Sequence, residues 1–271
     1  MPAEDLSTDA LRAALRGSFG KELRVFDEIG STNDEALAWA AAGAPEGAVV
    51  TADQQTAGRG RWNRSWLSPP GRSISLSLVL RPRSAEQAGL VTTALGVAGA
   101  DAIEAAAGIR CGVKWPNDVV APGGKVAGIL VESRSSGASV GYFVAGIGVN
   151  VSWGPEEMPP EIRDGASSLV AEGAGPLPRS ALIGELLWSM ERWYSAAATP
   201  AGRAEIVRAA TERSTILGHP VLLRRSDGTL QEGRATALLE DGALQVEVDG
   251  SLVAVTAGEV ERIRTEDRPA T

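Results

Sequence analysis

Gln55-Thr-Ala-Gly-Arg-Gly-Arg-Trp-Asn-Arg64 sits between two strand-like runs, residues 48–52 before it and Ser73–Leu80 after it. Gly58 and Gly60 let the backbone turn sharply and approach a ligand closely. Arg59, Arg61 and Arg64 can each offer a bidentate fork to phosphate or carboxylate. A loop leaving a strand is a favoured binding position. A solvated basic surface loop explains the Gly/Arg spacing equally well. The stretch is neither a Walker A loop nor a dinucleotide fingerprint, whose glycine and lysine spacings differ. Residues 54–85 hold six arginines and no carboxylate, in a chain of 271 residues with net charge −8. An acidic chain disfavours nucleic acid, and a local positive segment within it suggests a small anionic ligand.

Outward from this loop the periodicity alternates between helix and strand. Residues 8–16 read as a short helix capped by Thr8 or Asp9, residues 24–28 as a strand and residues 33–42 as a helix ending before Gly43. Ser73–Leu80 alternates Ile74, Leu76, Leu78 and Leu80 with Ser73, Ser75 and Ser77, the pattern of a half-buried strand. Residues 84–107 are an alanine-rich helix. Segments 111–114, 126–131 and 142–151, broken at 122–124 and 135–139, read as an antiparallel meander. Helices follow at 179–197 and 201–213. Beyond Ser214, three Asp-Gly pairs between short strands mark hairpins of a small closed barrel, SH3-like in size.

Four further segments could carry chemistry. Ser31-Thr32-Asn33 could present a polar ring with donors and acceptors, although Thr32 and Glu35 also form a capping box that would simply start a helix. Lys114-Trp-Pro-Asn-Asp118 puts a lysine at a strand end before a turn, where Asn117 and Asp118 are more often turn formers. Lys125-Val-Ala-Gly-Ile-Leu130 and Gly146-Ile-Gly-Val-Asn150 carry glycines inside strands, which mark a bulge or the close approach of a ligand. Other chemistries drop out. One histidine, His219, and one cysteine, Cys111, give no zinc cluster and no Cys–His or Ser–His–Asp machine. Cys111 reads as a buried small hydrophobe and cannot form an internal disulfide. No apolar run approaches the ~20 residues of a membrane span. No signal peptide is apparent, so the expected compartment is the cytoplasm.

Taken in order, S-T-N, Q-T-A-G-R-G-R-x-x-R-x-W, K-W-P-N-D, K-V-A-G-I-L and G-I-G-V-N, then a small barrel, closely resemble the biotin–protein ligase family over most of residues 24–265. The resemblance is to the biotin–[acetyl-CoA-carboxylase] ligases of the monofunctional type, since 30 residues before S-T-N are too few for a DNA-binding domain. It implies an α+β fold. Residues 1–213 would form a mixed, largely antiparallel sheet with helices, related to class II aminoacyl-tRNA synthetases, and residues 214–271 an SH3-like β-barrel. It implies ATP-dependent activation of biotin to biotinyl-5′-AMP, with Mg²⁺ carried on the ATP. Transfer to a lysine of a biotin carboxyl carrier domain, of an acyl-CoA or pyruvate carboxylase, would follow.

By position, Ser31, Thr32, Asn33, Gln55, Arg59, Gly60, Arg61, Lys114 and Gly128 would bind biotin. Arg59, Arg61, Arg64, Lys114, Asn117 and Asn150 would hold the ATP or adenylate, with Lys114 and Arg61 acting in catalysis. Gly148 matches a position where strand backbone runs beside the ligand. The chain departs from the family in having Asn63 where many members have glycine, and asparagine tolerates a left-handed backbone better than most residues. A lipoate–protein ligase and a non-catalytic biotin-binding sensor are the alternatives.

Overall fold

The computed structural model describes residues 4–136, 139–224, 229–256 and 259–262. The Asp227-Gly228 pair, the middle of the 135–139 turn and the C-terminal TEDRPAT lie outside the described residues. One sheet has seven strands: β1 (Leu23–Ile29), β2 (Val49–Gln55), β3 (Ser73–Leu80), β4 (Gly112–Lys114), β5 (Asp118–Ala121), β6 (Gly124–Ser136) and β7 (Ser139–Asn150). Their order is β1-β2-β3-β7-β6-β5-β4. Only β1 and β2 are parallel; the other neighbours are antiparallel, so the sheet is mixed, in line with the α+β class expected. The meander forms as expected, with β5 as an additional strand where the sequence suggested only a turn.

Seven helices accompany the sheet among the described residues: α1 (Thr8–Ala14), α2 (Thr32–Ala41), α3 (Ala85–Gly89), α4 (Val91–Ala107), α5 (Pro160–Arg163), α6 (Arg179–Ala196) and α7 (Pro200–Glu212). The 84–107 region is thus two helices, meeting at Leu90. Ser7, rather than Thr8 or Asp9, caps α1, its hydroxyl accepting from Ala10 N at 3.2 Å. The large core lies under α4, α6 and α7. There Leu95, Ile103, Leu182, Leu186 and Met190 meet Ile74, Leu76, Leu78 and Leu80 of β3. On the other face, Ala36 and Ala40 of α2 pack on Val50, Val79 and Val144. Strand period two explains why Leu78 and Val79 serve different cores.

The serine side of β3 departs from expectation. It does not face solvent, because β3 is an inner strand and all of its residues are buried. Each hydroxyl is bonded: Trp153 Nε1 donates to Ser73 Oγ at 2.8 Å, Gln55 Nε2 donates to Ser75 Oγ at 3.2 Å, and Ser77 Oγ donates to Thr32 Oγ1 at 2.8 Å. Burying a hydroxyl without a partner is costly, so this side of the sheet had to become a polar interior.

The second sheet is antiparallel, with β8 (Pro220–Arg224), β9 (Leu230–Leu238), β10 (Leu244–Val248), β11 (Ser251–Val255) and β12 (Glu259–Arg262) in the order β11-β10-β9-β8-β12. Asp249 and Gly250 have φ of 50° and 78°, the two left-handed positions of a tight hairpin. Trp115, from the K-W-P-N-D segment, completes this sheet's core beside Ile216, Val221, Leu223 and Val246. Its Nε1 donates to Gly242 O at 3.0 Å, which joins the two sheets.

Arg179, 3% exposed at its side chain, ties three parts of the chain together. Its guanidinium donates to both oxygens of Asp5, to Asp53 Oδ1 and to Ser73 O, and Asp53 Oδ1 also accepts from Gly71 N at 2.9 Å. The Arg179 hydrogen bonds hold the Asp5 carboxyl below its usual range. A depressed carboxylate contributes stability above its unfolded pKa and loses it as pH falls through the folded one. Arg179→Ala would leave the partly buried carboxylates of Asp5 and Asp53 without their shared cation, at a cost of about 2–3 kcal/mol after screening by water, to be read from urea denaturation at neutral pH. Burial pushes the Cys111 thiol up to about 12. At pH 8 it should resist iodoacetamide in the native protein and react fully once urea has unfolded the chain.

Candidate active site

Paired strand residues point to the same face, and one row across the sheet sets the floor of the site. Ala52 pairs with Ser75, Ser75 with Gly148, Gly148 with Gly128, Gly128 with Asp118, and Asp118 with Lys114. The middle of the row has no side chains. Above it lies a cavity of about 490 Å³, within the range of small-molecule sites. The Trp66 indole rests on the glycines: a Cβ on Gly148 would fall 2.2 Å from Trp66 Cε2, and one on Gly128 3.2 Å from Cζ3. Glycine is therefore required by close approach here, not by backbone angle.

The twelve residues assigned by position to biotin or the adenylate all line this cavity, Ser31, Thr32, Asn33, Gln55, Arg59, Gly60, Arg61, Arg64, Lys114, Asn117, Gly128 and Asn150, as does Gly148. The start of α2 closes one end. Ser31, rather than Thr32, is its N-cap, accepting from Asp34 N at 3.4 Å. The expected capping box does not form, because Thr32 Oγ1 donates to Gln55 Oε1 at 3.1 Å and accepts from Ser77, while Glu35 pairs with Arg24 at 2.5 Å. Gln55 Oε1 also accepts from Thr32 N at 2.8 Å. Ser77 Oγ lies 2.6 Å from Asn33 Oδ1, and Asn33 Nδ2 donates to Glu132 Oε2 at 2.8 Å. A connected row of hydroxyls and amides thus lies along this end, suited to a small ring carrying both N–H and C=O groups.

The opposite end is cationic. Arg61, Arg64, Lys114 and Lys125 line it against two carboxylates, Asp118 and Glu161, while the Arg59 guanidinium reaches back to the α2 end and meets Asp34 and Glu132. Lys125 Nζ sits 2.7 Å from Asp118 Oδ1 and 5.5 Å from the Trp66 ring centroid. Of the six arginines between 54 and 85, only the first three reach the cavity. Arg72 pairs with Glu157 at 2.8 Å, and Arg81 donates to Ala40 O and Ala44 O. The two asparagines shape the walls. Asn117 Nδ2 donates to Ile129 O at 2.9 Å and Asn117 Oδ1 accepts from Arg61 Nη1 at 3.3 Å. Asn150 Nδ2 donates to Ser167 O at 3.0 Å, holding the segment after α5 against the cavity.

The glycine–arginine loop folds back on itself. Gly60 N donates to Arg64 O at 2.7 Å and Trp66 N to Gly58 O at 2.9 Å. The left-handed residue is Trp62, at φ 57° and ψ 34°, so the position expected to carry that strain, Asn63, is not the one identified. The Asn63 side chain lies outside the described residues.

The biotin/lipoate A/B protein ligase family matches residues 25–150, and the biotin protein ligase C-terminal domain matches residues 216–262. A biotin–[acetyl-CoA-carboxylase] ligase of Mycobacterium tuberculosis is 34% identical over 258 residues, covering 92% of this chain and 91% of its own length. One from Paracoccus denitrificans is 35% identical over 240 residues, covering 85% of this chain and 96% of its own. The chain belongs to the biotin protein ligase family. A solved member from Aquifex aeolicus, in complex with biotin and ATP, superposes with a TM-score of 0.74 at 27% identity, over 90% of this chain and 100% of that one.

Within that family fold, several cavity residues escaped the sequence. Ser75 and Ser77 were hidden by an alternation that looked solvent-facing. Lys125 and Asp118 belong to two separate motifs, and only the pairing of β5 with β6 brings them together. For Trp66 the available signal is the W that ends the loop motif. Gly148→Ala would force the Trp66 indole off the floor. The variant should keep its circular dichroism spectrum and lose at least tenfold in biotin-dependent pyrophosphate release, since a close contact in a packed site must rearrange. Wild-type activity from this variant would show that the floor tolerates a side chain.

Proposed function

We propose that this chain is a biotin–protein ligase that adenylates biotin with ATP and transfers it to a lysine of a biotin carboxyl carrier domain, in an acyl-CoA or pyruvate carboxylase. The observation that carries this reading is the convergence of the twelve positions on one cavity, polar at the α2 end and cationic at the other. Residues 1–213 act as the catalytic unit and residues 214–271 as the C-terminal unit.

Ser31, Thr32, Asn33 and Gln55 receive the ureido ring of biotin. The valeryl chain runs along the Trp66 indole that covers the Gly128 and Gly148 floor, which brings the biotin carboxylate toward Lys114 in the same sheet row. A carboxylate is ionised at pH 7, so the first step needs no enzymic base. Its oxygen attacks the α-phosphorus of ATP, the bond to the β-phosphate bridging oxygen breaks, and pyrophosphate leaves with its Mg²⁺. What the protein supplies is orientation of two anions and stabilisation of the charge that builds on the phosphate. Lys114, Arg59, Arg61 and Arg64 supply that charge, while Asn117 aims Arg61 and Asn150 fixes the facing backbone. In the second step the ε-amine of the acceptor lysine attacks the acyl carbon of the mixed anhydride. AMP leaves, and the proton lost from the amine passes to the AMP phosphate or to water. The loop over the cavity keeps water from the anhydride in between.

The test is the intact mass of a purified biotin carboxyl carrier domain after incubation with the protein, MgATP and biotin, beside a lipoate reaction. A biotin-sized gain that requires ATP and the carrier's target lysine is expected. A gain with lipoate alone would move the chain to the lipoate branch, and no gain with either would sink the ligase reading. Lys114→Ala and Arg61→Ala should each lower pyrophosphate release about a hundredfold in folded protein, the scale of losing one charged group at a developing oxyanion.

A further inference from the structure

We infer that Glu132 is a positioning residue that couples the ring-binding amide of Asn33 to the lid arginine Arg59, so that ordering one holds the other. This rests on the ligase reading of the cavity. Glu132 lies on β6, two residues beyond Leu130 and four beyond Gly128, and so on the same face of the strand as the floor. One oxygen, Oε2, accepts from Asn33 Nδ2 at 2.8 Å and from Arg59 Nη2 at 3.1 Å. The two donors come from different elements, Asn33 from the first turn of α2 and Arg59 from the glycine–arginine loop.

Each contact fixes something different. An ionised carboxylate only accepts, so it draws the NH₂ end of Asn33 and turns Oδ1 toward Ser77, 2.6 Å away. Asn33 Oδ1 then competes with Thr32 Oγ1, which lies 2.8 Å from Ser77 Oγ, for the single Ser77 hydroxyl proton, and this decides which hydroxyl and amide atoms at this end are free to donate to a ligand and which to accept. The Arg59 contact anchors the lid. The loop is cross-bonded by Gly60 N to Arg64 O and Trp66 N to Gly58 O, with an Arg59–Ser65 bridge, so it moves as a unit and one anchor holds all of it. Arg59 has a second partner, Asp34, but that carboxylate is 62% exposed against 18% for Glu132. Water screens the outer pair far more than the inner one.

The experiment compares wild type, Glu132→Gln and Glu132→Ala. Three measurements are made on each: tryptic cleavage within residues 59–64, biotin affinity by calorimetry, and retention of biotinyl-5′-AMP formed from biotin and MgATP. Trypsin cuts at arginine, so cleavage at Arg59, Arg61 and Arg64 reads lid opening without any ligand. Glutamine keeps an acceptor for Asn33 but loses the charge that holds Arg59. It should raise cleavage and adenylate loss about tenfold, the scale of a charged hydrogen bond, with biotin affinity within about threefold of wild type. Alanine removes both contacts and should weaken biotin about tenfold as well. Unchanged cleavage and retention in both variants would overturn the inference. So would a fall in melting temperature that scaled all three readouts together, the mark of a merely structural carboxylate. Absence of pyrophosphate release from wild type would count against the ligase reading alone, because the cleavage comparison still tests the lid anchor.

Discussion

Everything in the site depends on a gap in the middle of a β-sheet. Where β3, β7, β6 and β5 cross in register, Ser75, Gly148, Gly128 and Asp118 stand side by side. Two adjacent glycines remove the side chains that would otherwise fill this face, and a sheet buried on both sides tolerates such a gap only if something else occupies it. Trp66 does so in part, its indole lying on the glycines with Nε1 buried and without a hydrogen-bond partner. The rest is the cavity. On the reverse face the same strands pack Ile74, Leu76, Ile129 and Ile147 into an unbroken apolar core, which keeps the gap rigid.

Polarity around the gap is sorted by where each element enters. The start of α2 contributes small hydroxyl and amide groups, already bonded to Gln55, Ser77 and Glu132. The loop between β2 and β3, with the ends of β4 and β6, contributes the cations. A chain of net charge −8 therefore presents a locally positive cleft, and the charge is concentrated where low-dielectric walls make it count. Behind the loop, Arg179 joins Asp53 at the end of β2 to Ser73 at the start of β3, and Asp53 also holds Gly71. Both stems of the loop are thereby fixed while its tip is held by Arg59. Trp115 plays a similar part between the sheets, since one residue of the K-W-P-N-D segment is buried in the C-terminal core while its neighbours line the cavity.

The sequence by itself determined the composition of the site and most of the element order. Motif spacing named the residues at both ends of the cavity, and periodicity placed β1 through β3, the meander and the helices α6 and α7. These signals are local: a Gly/Arg loop, an Asp-Gly turn or a 3.6-residue stripe is written within a dozen residues. Only the tertiary structure decided what each side of a strand faces. The serines of β3 alternate as a solvent face does, and nothing within the strand says that β2 and β7 will flank it and α2 will cover it. For the same reason the cap of α2 passed from Thr32 to Ser31. Gln55 and Ser77, 23 and 45 residues away, claim the threonine hydroxyl. The pairs that matter most for the cavity, Asp118 with Lys125, Glu132 with Arg59 and Asn33, and Gly128 with Gly148, are register and packing contacts, which exist only once the strands have been laid side by side.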